Sequence, residues 1–202
     1  MLINSDRLLN CPILSLHVGG AIARTTEIVV DPNELKVAAF RLEGPDIAKG
    51  AAGNYLQESR VREYSSAGMV VDSLDDFVEA DDVVSLKQIL DLNFSLKGMH
   101  VVTKKGTKLG KVSDYTVNTD GFVIQQLIVQ RPIMKAFLDP ELVIGRSEVV
   151  QISDKEIMVR DEESKIRTNA TREDFVPNFV NPFREPRLST ADNRTLDEPS
   201  TK

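Results

Sequence analysis

His17, His100 and Cys11 are the residues of this 202-residue chain with the best claim to metal or nucleophilic chemistry, and their spacing argues against it. A zinc site needs three or four Cys, His or carboxylate ligands brought close together. Each histidine sits in an expected strand among apolar neighbours, with no Cys or second His nearby. Cys11 precedes Pro12 and an apolar run, and reads as a small buried hydrophobe rather than a nucleophile. Asp72, Asp75, Asp76, Glu79, Asp81 and Asp82 offer oxygens to a hard cation, but their spacing is not that of a helix-flanked calcium loop and its central glycine is missing. They read instead as a charged edge that discourages strand-to-strand aggregation. Phosphate loops, nucleophile elbows and Cys-x-x-Cys pairs are absent from the sequence. With no convergent acid, base and nucleophile, the chain is expected not to be an enzyme and to hold no metal and no cofactor.

The elements that would position any site come in two copies. Leu109, Lys111, Asp114, Tyr115, Val117, Phe122, Ile124, Leu127 and Val129 align with Ile22, Arg24, Glu27, Ile28, Val30, Leu35, Val37, Phe40 and Leu42 at one offset (109 − 22 = 87). Gly106 falls on Gly19. Apolar meets apolar, acid meets acid and base meets base, so a duplicated β-rich unit is expected. Asp114 and Glu27 recur beside a turn, where a carboxylate accepts backbone N–H groups.

In the first unit, strands are expected at 13–17, 28–30, 36–42, 60–64 and 69–71, with Phe77-Val78 closing the unit. Asp31-Pro-Asn-Glu34 marks a turn. The period changes at Asp81, and Val84, Ile89, Leu90 and Leu92 fit a short connecting helix, with Ser85 and Gln88 as a capping box. In the second unit, strands are expected at 99–102, 112–117, 122–130, 147–152 and 156–160. Asn118-Thr-Asp-Gly121 is a hairpin turn. The apolar phase shifts between Ile124 and Leu127, which places a bulge at Gln125-Gln126. The alternation also breaks somewhere within 112–117. Short strands with a turn every eight to twelve residues indicate small barrels.

A net charge of −6 argues against general nucleic-acid binding, although Lys104, Lys105, Lys108 and Lys111 crowd one hairpin. A single cysteine suits a reducing cytoplasm. The sequence holds no signal-peptide pattern and no apolar run of about 18 residues that would span a membrane.

At Gly106-x-x-Leu109-Gly110-Lys111-Val112-x-Asp114, preceded by Leu96-Lys-Gly-Met-His-Val-Val-Thr103, the chain resembles the PRC-barrel family. The resemblance covers 96–161, and it reaches 8–80 only through the internal alignment. The first unit departs from the motif, with Ile22-Ala23 and Thr25-Thr26 where the second has Leu109-Gly110 and Val112-Ser113. The resemblance implies an all-β fold of two PRC-type barrels in tandem. The expected divisions are a divergent unit at 1–82, a linker helix at 83–97, a second barrel at 98–161 and a mostly disordered tail at 162–202. Gly106, Leu109, Gly110, Val112, Asp114 and Gly121 are its turn and motif residues, and no catalytic residue carries over.

The family includes the cytoplasmic part of the photosynthetic reaction-centre H subunit, the C-terminal domain of a ribosome-maturation factor and small stand-alone proteins. It implies a non-enzymatic adaptor or scaffold that binds protein partners. The alternatives are a ribosome- or RNA-processing-associated factor and a peripheral subunit of a membrane complex. This chain lacks the maturation factor's N-terminal domain and the H subunit's membrane helix. In the tail, Phe175, Phe179 and Phe183 recur every four residues, while Pro177 and Pro182 oppose a regular helix. Burial of each ring stabilises by about 2 kcal/mol, so the segment 175–183 is expected to dock in extended form, either on this chain's own barrel or on a partner.

Overall fold

The structure, a computed structural model, describes residues 1–50, 52–132 and 140–161. Two long β-hairpins organise them. In the first half, β1 (Leu2–Asn4) and β2 (Pro12–Ser15) precede the long hairpin of β3 (Gly20–Asp31) and β4 (Lys36–Glu43). A one-turn helix α1 (Pro45–Ala48), β5 (Tyr55–Gln57), β6 (Glu63–Ser65), β7 (Gly68–Val71) and β8 (Phe77–Val78) follow. Helix α2 (Val84–Asp91) leads to the second half. There β9 (His100–Thr103) precedes the second long hairpin, β10 (Lys108–Asn118) and β11 (Val123–Gln130), and then come β12 (Glu141–Gly145), β13 (Val149–Ile152) and β14 (Glu156–Val159).

The pairings of the second half repeat those of the first. Strand β3 meets β4 at Arg24↔Glu43, Glu27↔Arg41 and Val30↔Val37, and β10 meets β11 at Lys111↔Gln130, Asp114↔Ile128 and Val117↔Ile124. Every one of these pairs is displaced by 87 (111 − 24 and 130 − 43). Both bulges repeat as well. Gln125 is the extra residue between Val117↔Ile124 and Thr116↔Gln126, where the phase shift was read, and Ser113 is the break within 112–117. The parallel pair β2–β7, with Ile13↔Met69, recurs as β9–β14, with Val101↔Ile157, at an offset of 88 (101 − 13 and 157 − 69). One residue fewer between β9 and β10 than between β2 and β3, and one more between β11 and β12 than between β4 and β5, account for the change of offset and its return.

The strands join in one 14-stranded network whose main path runs β13-β14-β9-β10-β11-β4-β3-β2-β7-β6. Among the described residues neither half closes on itself: β8 and β6 end the first half, and β12 and β13 end the second. A single hydrophobic core serves both halves, running through Leu8, Ile13, Val37, Phe40 and Met69 to Val101, Ile124, Leu127 and Ile157. Ile124 and Leu127 are fully buried, as their spacing required.

Two local expectations are corrected. His17 lies in the turn after β2 rather than in a strand, because β2 stops at Ser15, whose Oγ accepts from the Val18 N–H. Ser85 does not cap α2: the helix starts one residue earlier and Val83 takes the cap position with no side-chain bond, so Ser85 falls within the first turn. The capping box forms instead at Ser73 and Asp76, on the short 3-10 turn Leu74–Asp76. Strands β1, β5 and β12 carry no clear apolar alternation and were not legible as strands.

Candidate interaction surface

The motif residues are structural. Gly106 turns the chain between β9 and β10, and Gly121 does so between β10 and β11, with φ of 81° and 72°. Gly110 has φ 157°, and a Cβ there would run into the Gln130 carbonyl oxygen across the hairpin. Leu109 packs against the core and Val112 is buried within it. Phe175, Phe179 and Phe183 lie outside the described residues.

Asp114 has a different role from the one its turn position suggested. Its Oδ1 accepts from the Ser5 hydroxyl and lies 3.0 Å from Lys97 Nζ, which also bonds Asp6 Oδ1 at 2.7 Å. Lys97 Nζ lies 5.9 Å from the ring centroid of Tyr115, within cation–π range. Ser5 is fully buried and Tyr115 nearly so. Burial pushes the Tyr115 hydroxyl up, and the Asp114 charge adds to this. Burial pulls the Lys97 ammonium down, but Asp6 and Asp114 outweigh it and hold the lysine above its ordinary value. Two carboxylates, Asp6 and Asp114, share the one ammonium of Lys97, and these bonds fasten the N-terminal segment to the second half. In the first half Glu27 merely faces Arg41 at 3.7 Å in solvent. Lys97 and Ser5 could have been suspected from the repeat, since Lys97 falls on Leu9 (97 − 9 = 88), a break in class.

The other candidates separate in space. His17 and His100 are both exposed, and Cys11 is buried with its thiol pushed up by desolvation. The acidic run flanks β8, which among the described residues pairs with β5 alone. Asp76 accepts the N–H groups of Asp72 and Ser73, Asp82 accepts that of Glu79, Asp72 pairs with Arg62 and Asp81 with Lys87. Asp76 and Asp82 thus cap the turns between β7 and α2, and Asp72 and Asp81 form exposed ion pairs. Lys104, Lys105, Lys108 and Lys111 stand on one exposed hairpin, with Lys111 opposite His100.

The halves differ most on the outer face of the long hairpin. In the first half α2 lies there, and Leu86 is buried against Val29, Ala39 and Tyr55. The corresponding residues of the second half are Thr116, Gln126 and Val143 (116 − 29 = 87, 126 − 39 = 87, 143 − 55 = 88). They point away from the core, because their neighbours Tyr115, Val117, Leu127, Leu142 and Ile144 point into it. Gln126, Ile128 and Val143 are half-buried. Strand β5 pairs with both β4 and β8, whereas among the described residues β12 pairs with β11 alone. Among the described residues, therefore, no helix lies on the outer face of β10, β11 and β12 and no second strand pairs with β12, where the first half has α2 and β8.

No helix of the described residues is long and apolar enough to cross a membrane. No curated protein matches the chain. Residues 93–166 match the PRC-barrel domain family. Moved back by 88, that span becomes 5–78 (93 − 88 and 166 − 88), which runs from the 3-10 turn at Ser5 to the last residue of β8. The similarity to the PRC-barrel domain family is thus carried by residues 93–166, the span that contains β9 to β14.

Proposed function

We propose that this protein is a non-enzymatic interaction module, an adaptor or scaffold in which two PRC-type units stand in tandem, 1–82 and 98–161, joined by the segment carrying α2. The second unit holds a protein partner on the outer face of β10, β11 and β12. One observation carries this reading: Ala39 and Tyr55 of the first unit are buried in the cluster that Leu86 of α2 completes, while their equivalents Gln126 and Val143 are only half-buried on the second. The edge of β12, which among the described residues pairs with β11 alone, adds a row of backbone donors and acceptors suited to an extended segment of the partner. The family match supports an interaction role, and the segment 175–183 is a second contact in the same reading.

The test is pull-down with tagged full-length chain from its own cells, comparing wild type with Ile128→Glu and Val143→Glu. Both variants should keep the wild-type circular dichroism spectrum and lose the same partners. Retention of every partner by two folded variants would end the assignment of this face.

A ribosome- or RNA-associated role draws support from the exposed lysines of the β9–β10 hairpin. RNA affinity that falls steeply with salt and drops on Lys108→Ala with Lys111→Ala would favour it over the protein adaptor.

A further inference from the structure

The contact between the two halves has an unusual property: each residue in it meets its own counterpart's neighbourhood. The one ladder pair joining β4 to β11 is Lys36↔Val123, and these two residues are equivalents in the repeat (123 − 36 = 87). The flanking hydrogen bonds are reciprocal. Val37 N–H donates to the Phe122 carbonyl at 3.0 Å, and Ile124 N–H donates to the Leu35 carbonyl at 3.2 Å. Val37 corresponds to Ile124, and Leu35 to Phe122. Leu35 and Phe122 also share the same left-handed backbone, with φ of 47° and 52°. A residue that pairs with its own equivalent, flanked by exchanged bonds, marks a two-fold axis and an isologous interface. The Phe122 ring meets Phe40 edge-on at 5.3 Å beside this axis, and Arg146 donates to the carbonyls of Leu35 and Glu34 at 2.6 Å each. The N-terminal strand adds a further contact: β1 of the first half pairs with β10 of the second.

We infer that the surface between the halves is a self-complementary dimer interface enclosed within one chain, and that a second copy of this chain can occupy it by exchanging halves. The first half of one copy then rests on the second half of the other, with every bond above retained. The hinge is the exposed segment Leu92–Asn93 after α2, where Asn93 already holds a φ of 47°. Closure within one chain competes through its effective concentration, about millimolar for a short connection, so exchange belongs to high concentration or local crowding on a scaffold. This inference stands apart from the partner face on β10–β12, and failure of one leaves the other intact.

The test uses the full chain with Lys36→Cys and Val123→Cys in a Cys11→Ala background. Directly paired strand residues lie within disulfide reach. The protein is refolded from urea at about micromolar and at about millimolar concentration, oxidised mildly and mapped by peptide mass spectrometry. The expected result is a monomer with an internal 36–123 link at low concentration and a dimer with 36–123 links between chains at high concentration. Monomer alone at both concentrations overturns the inference, and so does a dimer whose 36–123 links are all internal. Unsubstituted chain refolded in the same way provides a second reading by native mass spectrometry. Its dimer fraction should rise with refolding concentration and persist on dilution, and a fraction that vanishes at once on dilution contradicts half exchange.

Discussion

Replacing Phe122 with alanine should be among the most damaging single truncations in this protein. Phe122 is 3% exposed and sits in the one core that serves both halves. Removing a buried phenylalanine ring costs about 3–5 kcal/mol through lost transfer energy and the cavity left behind. About 0.5–1.5 kcal/mol of that belongs to the edge-on contact with Phe40, whose centroid is 5.3 Å away. Alanine gains no relief at a φ of 52°, because it carries a Cβ as phenylalanine does. Phe122→Leu, which installs the residue that the first half carries at its equivalent position, should lose only about 1 kcal/mol. Urea unfolding followed by circular dichroism measures these losses, and a double-mutant cycle with Phe40→Ala isolates the ring pair. Hydrogen exchange should quicken in both halves, since both contribute to the same cluster. A loss under about 1 kcal/mol for Phe122→Ala, or faster exchange confined to the second half, would refute the placement of this ring at a shared core.

Gly110→Ala should destabilise by more than 1 kcal/mol, through its φ of 157° and the clash with the Gln130 carbonyl, while the reciprocal Ala23→Gly costs about 1 kcal/mol or less; thermal melts compare the two. Stability should fall in alkali. The folded-state values of Tyr115 and Lys97 are raised above 10.0 and 10.5, so both groups stay protonated in the fold after the unfolded chain has begun to lose those protons. Their contribution is complete below about pH 10 and declines above it, and Tyr115→Phe should flatten that decline in urea titrations run from pH 8 to 11. Truncation after Arg172 separates two roles for the segment 175–183. A lower melting temperature indicates docking on this chain, and unchanged stability with lost partners indicates a partner-bound motif.

The repeat was legible because core positions tolerate exchange among apolar residues while keeping their class. Leu127 and Phe40, or Ile124 and Val37, fill the same place with different shapes. The bulge at Gln125 was readable for the same reason, since an extra residue flips the apolar phase of everything after it. The join between the halves was not legible. It rests on main-chain bonds at Val37 and Ile124 and on the guanidinium of Arg146, and neither leaves a periodic trace in the sequence. Asp114 was placed at the right position with the wrong partners: Ser5 and Lys97 lie 109 and 17 residues away in sequence (114 − 5 and 114 − 97), beyond the reach of local turn logic. The proposed face on β10–β12 has no trace in the sequence and follows only from the position of α2 on the first half. Thr116, Gln126 and Val143 carry no signal alone, and their meaning comes from Val29, Ala39 and Tyr55 at the matching positions.

The most direct test of the interaction account sets the two equivalent faces against each other. Ile128 and Arg41 occupy matching positions on β11 and β4 (128 − 41 = 87). Tagged full-length chains carrying Ile128→Glu or Arg41→Ala are used to purify partners from the native cells, with quantitative mass spectrometry and a circular dichroism check of folding. The account predicts that Ile128→Glu depletes a defined set of partners at least about tenfold, a loss of about 1.4 kcal/mol in binding or more, while Arg41→Ala retains them. Equal partner recovery from both folded variants would contradict it.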